Sequence, residues 1–139
     1  EIIVEHGRHP RNHGRLEGEG VVAREGYNPL CGDRLTLFVE VDGDRVARVA
    51  FVGEGCAIST ASASLLTEAV TGHTVAEAEA LFQAFRHALT TADDDEALLE
   101  AADLGELAAL LGVRAYPMRV KCATLAWHTL HEALAGGEA

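Results

Sequence analysis

The chain has 139 residues, enough for one ordinary domain, and a chain of that size buries roughly two thirds of its unfolded surface. Hydrophobic residues make up 48% and charged residues 24%, which excludes a mainly disordered chain. Acidic side chains outnumber basic ones 22 to 11, so the formal charge of -11 disfavours a nucleic-acid binder that must displace counterions from phosphates. No run approaches the about 20 apolar residues of a membrane-spanning helix, and no basic stretch leads into an apolar one at the start; a cytoplasmic protein that does not enter membranes is expected.

In chain order, residues 1–6 read as the end of a helix. Gly7, Pro10 and Gly14 then break regular structure through a loop rich in His, Arg and Asn. Residues 20–27 supply one strand, stopped by Asn28-Pro29. Residues 34–41 alternate Leu35, Leu37, Val39 and Val41 on one face, residues 45–52 place Ala47, Val49 and Phe51 likewise, and Asp42-Gly43-Asp44 joins these two strands as a hairpin. Residues 57–70 lack Gly and Pro and read as a helix closed by Gly72. Thr74-Val75-Ala76-Glu77 has the form of a capping box, followed by Ala78, Leu81, Phe85 and Leu89 at helical spacing. Residues 96–111 are weakly helical and acidic, ending at Gly112. A last helix starts at Pro117 and runs to about residue 135, with Ala123, Trp127, Leu130 and Leu134 on one stripe. The expected architecture is a single α+β domain over residues 1–139, a small three-stranded antiparallel sheet packed against a block of C-terminal helices.

The three cysteines stand at 31, 56 and 122, an odd number that does not describe a disulfide-stapled domain and contains no CxxC knuckle. Their settings carry more than their spacing. Cys31 lies in a Pro/Gly turn, Cys56 directly precedes a helix, and Cys122 sits in the first turns of another, where unpaired N–H groups favour thiolate. Asp33 follows Cys31 by two positions, so both side chains can face one point. Cys31, Asp33, Cys56 and Cys122 then offer three sulfurs and a carboxylate, a set that suits tetrahedral zinc. Gly32, Gly53 and Gly55 would let backbone pass close to such a centre. The competing reading is three inert buried thiols, the ordinary fate of a cysteine outside a disulfide.

Three motifs add to these residues: Asn28-Pro29-Leu30-Cys31-Gly32-Asp33, then Gly53-Glu54-Gly55-Cys56-Ala57-Ile58-Ser59, then Arg119-Val120-Lys121-Cys122-Ala123-Thr124-Leu125-Ala126-Trp127. Together with Glu5-His6, Pro10-Arg11-Asn12 and Gly14 they resemble the IscU/NifU N-terminal family of iron-sulfur cluster assembly proteins. The resemblance covers nearly the whole chain. The general scaffold type of that family carries a histidine before its third cysteine and a Pro-Pro-Val-Lys stretch read by a chaperone; here Lys121 and Tyr116-Pro117-Met118 stand instead, with an extra acidic segment around residues 90–112. These departures are similar to the SufU branch. That branch implies Zn(2+) on Cys31, Asp33, Cys56 and Cys122, and sulfur accepted on Cys31 from a SufS-like, pyridoxal-phosphate cysteine desulfurase. A histidine of the desulfurase would take the place Cys31 leaves on the metal, and the sulfur would pass to a SufBCD-like complex. The rival reading is a scaffold for a transient [2Fe-2S] cluster, with iron as its metal and Asp33 tuning release. A structural zinc is a third, blander one.

Arg119 matches a recurring position of the family, three residues before Cys122. Support of the thiolate site and a plain surface salt bridge are its two readings. Lys121 either adds positive charge near the thiolates or is simply solvated. His6, His9 and His13 read as part of a partner-contacting loop and not as ligands, because Gly7 and Pro10 argue against the helix that would align them. His128 and His131 read as surface or packed residues, and Ser59, Ser62 and Ser64 as small helix-packing residues and not nucleophiles. The acidic run at 93–106 is a solvated face or a dock for a basic desulfurase surface.

Overall fold

Alternation of apolar and polar residues builds the sheet. In the computed structural model, which describes residues 2–18, 20–28, 32–91 and 104–136, strands β1 (Val21–Asn28), β2 (Asp33–Asp42) and β3 (Arg45–Glu54) form one antiparallel sheet in that order. Gly43, at φ +64°, opens the two-residue loop between β2 and β3, a position that favours a residue without a Cβ. Leu35, Leu37 and Val39 are buried as the alternation predicts. On β3 the buried set is Val46, Val49, Ala50 and Phe51, and Ala47 is only half-buried. A bulge is the reason: Glu40 pairs with Arg48 and Val41 with Val46, so Ala47 has no partner and the inward phase shifts by one residue.

Helices α2 (Ala57–Val70) and α4 (Pro117–Gly136) pack on the sheet, α2 against β3 and α4 against β1 and β2, and they also pack on each other. Helix α3 (Val75–Thr90) lies on α4 and starts at the predicted capping box: Thr74 Oγ1 accepts from the Glu77 N–H at 3.0 Å, and Glu77 Oε1 accepts from the Thr74 N–H at 2.9 Å. Trp127 is fully buried, its ring centroid 5.3 Å from that of Phe85 and 6.3 Å from that of Phe82. Its indole N–H meets no hydrogen-bond acceptor among the described residues.

Two expectations need correction. Of the predicted weak helix at 96–111, residues 96–103 lie outside the described residues, and Gly105–Val113 is a 3-10 helix that runs through Gly112. Leu107, Leu110 and Val113 are buried at a spacing of three, the period of a 3-10 turn and not of an α-helix. The N-terminal helix also runs further than expected, and His6 is buried in it, while residues 9–18 form the expected loop with His9 and His13 exposed. Helix α1 (Ile2–Arg8) runs through Gly7, and its buried His6 shares a 2.7 Å hydrogen bond from Nδ1 with Ser64 Oγ. The Arg11 N–H donates to the same Ser64 oxygen at 2.7 Å, and Asn12 Nδ2 donates to Thr67 Oγ1 at 3.0 Å. Beyond it, the Gly14 N–H donates to Phe51 O at 2.8 Å and the Phe51 N–H to Asn12 O at 3.1 Å, so the segment covers the outer edge of β3. Tertiary contacts, and not local propensity, hold this short helix. Among the described residues no helix is long and apolar enough to cross a membrane.

Candidate metal centre

The start of β2, the end of β3, the N-terminus of α2 and the early turns of α4 meet at one end of the sheet. Asp33, the first residue of β2, is 1% exposed. Its Oδ1 accepts the Cys56 N–H at 2.9 Å, and its Oδ2 lies 3.8 Å from Cys56 Sγ. Cys56 is the N-cap of α2, with its sulfur accepting the Ser59 N–H at 3.4 Å where a serine or aspartate oxygen usually sits. That position sets the sulfur at the positive end of the helix. Cys122 reaches the same point from α4 and is buried. One ligating atom each of Asp33, Cys56 and Cys122 lies within 4.8 Å of the others, and this is the one such group among the described residues.

Glycines make room for this convergence. A Cβ on Gly55 would stand 2.9 Å from Asp33 Oδ1, and one on Gly53 would strike the backbone of Arg34 and Leu35. On the other side the Gly32 N–H donates to Asn28 O at 2.8 Å, with Gly32 at φ +72°. Cys31, the residue before Gly32, lies outside the described residues.

Of the remaining residues singled out from the sequence, Arg119 forms no salt bridge among the described residues, and its guanidinium carbon lies 5.7 Å from the Tyr116 ring centroid. Lys121 is exposed. His131 Nδ1 lies 2.7 Å from Glu79 Oε1, and His128 meets the edge of Phe82 at 5.1 Å between centroids. Burial above all, with nearby Arg86 second, pushes the His128 pKa below its usual 6.5. His6 Nε2 stands 3.5 Å from Glu106 Oε2 and 3.7 Å from Glu68 Oε1, so His6 clamps α1 to α2 and to the 3-10 helix. Ser62 donates to Ala123 O, tying α2 to α4 beside Cys122. Ser64, expected as a small helix-packing residue, and Thr67, which the sequence reading passed over, anchor the N-terminal segment; buried hydroxyls on an otherwise apolar helix face were their signal.

A small antiparallel sheet backed by helices thus gathers Asp, Cys and Cys where its strands end, the makings of a metal-binding α+β domain. The chain matches the model of the NifU-like N terminal domain family over residues 1–135, and it belongs to that family. It is 42% identical over 133 residues to "Iron-sulfur cluster assembly scaffold protein IscU" of Streptococcus pyogenes serotype M1, covering 96% of this chain and 80% of that protein. It is 40% identical over 138 residues to "Zinc-dependent sulfurtransferase SufU" of Bacillus subtilis, covering 99% and 90%. Among solved structures, the scaffold protein for the SUF system of Fervidobacterium islandicum superposes with a TM-score of 0.83 at 35% identity, covering 96% of this chain and 94% of that one.

Proposed function

We propose that this protein is a zinc-dependent sulfur acceptor in iron-sulfur cluster assembly, taking sulfur on Cys31 from the persulfide of a pyridoxal-phosphate cysteine desulfurase and passing it to a downstream cluster-assembly complex. The observation that carries this reading is the convergence of Asp33, Cys56 and Cys122 at a helix N-terminus. The donor set fits zinc: bonds of about 2.3 Å to sulfur and about 2.0 Å to oxygen in a tetrahedron put a sulfur and an oxygen ligand roughly 3.5 Å apart, and Cys56 Sγ and Asp33 Oδ2 stand at 3.8 Å, a few tenths of an ångström from that spacing. Asp33, Cys56 and Cys122 would hold the ion together with Cys31. When bound, zinc supplies the positive charge that keeps such thiols deprotonated at neutral pH.

In the transfer, the Cys31 thiolate attacks the terminal sulfur of the donor's persulfide. A sulfur–sulfur bond forms on Cys31, the donor's sulfur–sulfur bond breaks, and the donor cysteine departs as a thiolate, so no oxidant or reductant is consumed. Zinc-loaded protein is expected to accelerate alanine formation by its cysteine desulfurase, and Cys31→Ala to abolish the acceleration. The similarity to the streptococcal scaffold supports a second reading, assembly of a transient [2Fe-2S] cluster. Well-folded, zinc-loaded protein that leaves the desulfurase rate unchanged, and that becomes coloured on loading with iron and sulfide, would decide for the scaffold.

A further inference from the structure

A cavity of about 620 Å³ opens at the hairpin end of the sheet, between β1, β2, the start of α3 and the last turns of α4. That volume lies within the roughly 300 to 1,000 Å³ of small-molecule sites. Its floor is core, with Val39, Ala133 and Leu134 exposed by only 1%, 2% and 6%. Val22, Val41 and Val75 form the walls, each half-buried. Branching at Cβ holds a valine in few rotamers, so these walls stand ready before any ligand arrives.

Asp44 is the one charged residue in this lining. Its carbonyl accepts the Val75 N–H, but its exposed carboxylate makes no ion pair or hydrogen bond among the described residues. The carboxylates of the flanking strand and helix are engaged, Glu40 with Arg48 and Glu132 with Arg24. Arg45, the adjacent cation, turns Nη1 to the Gly72 carbonyl. The wall beside Gly20 is closed by long hydrogen bonds, from the Val41 N–H to Gly20 O and from the Val21 N–H to Gly18 O, both at 3.4 Å. Bonds of that length are weak and give a ligand an entrance.

We propose that this cavity binds a small organic cation, an ammonium compound whose apolar body fills the valine-lined chamber while its charge rests beside Asp44. An unanswered carboxylate at the mouth of an apolar chamber attracts a positive head and repels a negative one, and the formal charge of -11 acts in the same direction. None of the lining residues belongs to the metal centre: Asp33 opens β2, whereas Val39 and Val41 lie toward its other end. Occupancy of the cavity and binding of zinc are therefore separate events, and the proposal does not rest on sulfur transfer.

The test is a calorimetric titration of the zinc-loaded full chain with n-octyltrimethylammonium, whose charge is fixed and which cannot ligate zinc, beside n-octanol and octanoate. The cation is expected to bind one-to-one with Kd on the order of 0.1 mM. Octanol should bind about fivefold more weakly, and octanoate more weakly still. Asp44→Asn is expected to remove the advantage of the cation and to leave the Kd of octanol unchanged. Val75→Trp fills the cavity from its wall and Ala133→Leu from its floor; each is expected to weaken binding of the cation at least about tenfold, with zinc content and the unfolding midpoint showing that the variant is folded. Wild-type protein that shows no saturable binding of the cation, or binds octanoate as tightly, overturns the proposal. Binding that both folded cavity-filling variants leave unchanged overturns it as well.

Discussion

The two ends of the sheet are built from the same three strands and treat their polar groups in opposite ways. At the hairpin end the groups are answered within the fold: the Val46 N–H donates to His73 O at 2.8 Å, the Gly72 N–H to Val46 O at 2.8 Å and the Val75 N–H to Asp44 O at 2.7 Å, while Arg45 Nη1 donates to Gly72 O at 2.9 Å. The capping box of α3 closes the same corner. At the opposite end a carboxylate and two sulfurs are brought together instead, spaced for a common ligand. The Asp33 and Cys56 side chains also accept backbone N–H groups, but only this end gathers a carboxylate and two sulfurs that one ion could share, so a mutation at each end should be felt in a different measurement.

Glycine substitutions sharpen that contrast. Gly53→Ala drives a Cβ to 2.6 Å from Leu35 Cα and closer still to the Arg34 carbonyl, backbone that cannot step aside. A loss of about 3 kcal/mol in denaturant unfolding is expected. Gly55→Ala meets the movable Asp33 carboxylate, so the expected effect falls on the centre: zinc affinity weaker by about 10 to 100-fold in a chelator competition, with little change in metal-free stability. If Gly55→Ala binds zinc normally, Asp33 is not a ligand.

The smallest effect belongs to the hairpin end. Glu77 has its pKa lowered from 4.5, chiefly by the Thr74 backbone hydrogen bond. A depressed carboxylate stabilises the folded chain above its unfolded pKa and loses that contribution as pH falls through the folded one. Glu77→Gln is therefore expected to lower Tm slightly at pH 7, the gap from wild type closing below about pH 4.5, with zinc affinity unchanged throughout. A gap that widens in acid would reverse the sign.

Much of this was legible in the sequence because the signals are local. Strict alternation marks β2, Thr74 and Glu77 mark the start of α3, and the residues flanking Cys56 announce a helix beginning at that thiol. The bulge was not legible, since a register shift depends on the partner strand, and Ala47 stood where Val46 belongs. The spacing of Leu107, Leu110 and Val113 was readable as a 3-10 period but was masked by helix-forming residues around it. For the centre, Asp33 and the glycines around it followed from proximity in sequence. The contacts of Arg34 with Tyr27 and of Arg119 with Tyr116 did not, because the first joins two strands and neither leaves a mark in residue spacing.

Trp127 is the sole tryptophan, and an indole sealed from water with no acceptor for its N–H among the described residues has a distinctive optical consequence. Its fluorescence should peak at short wavelength in the folded protein and move to the red when the helix layer opens. Because it lies among Phe82 and Phe85 and not among the ligating atoms, that colour change reports unfolding itself. A metal titration followed by this emission would thus tell a folded protein that has merely lost its ion from one that has come apart, without any label.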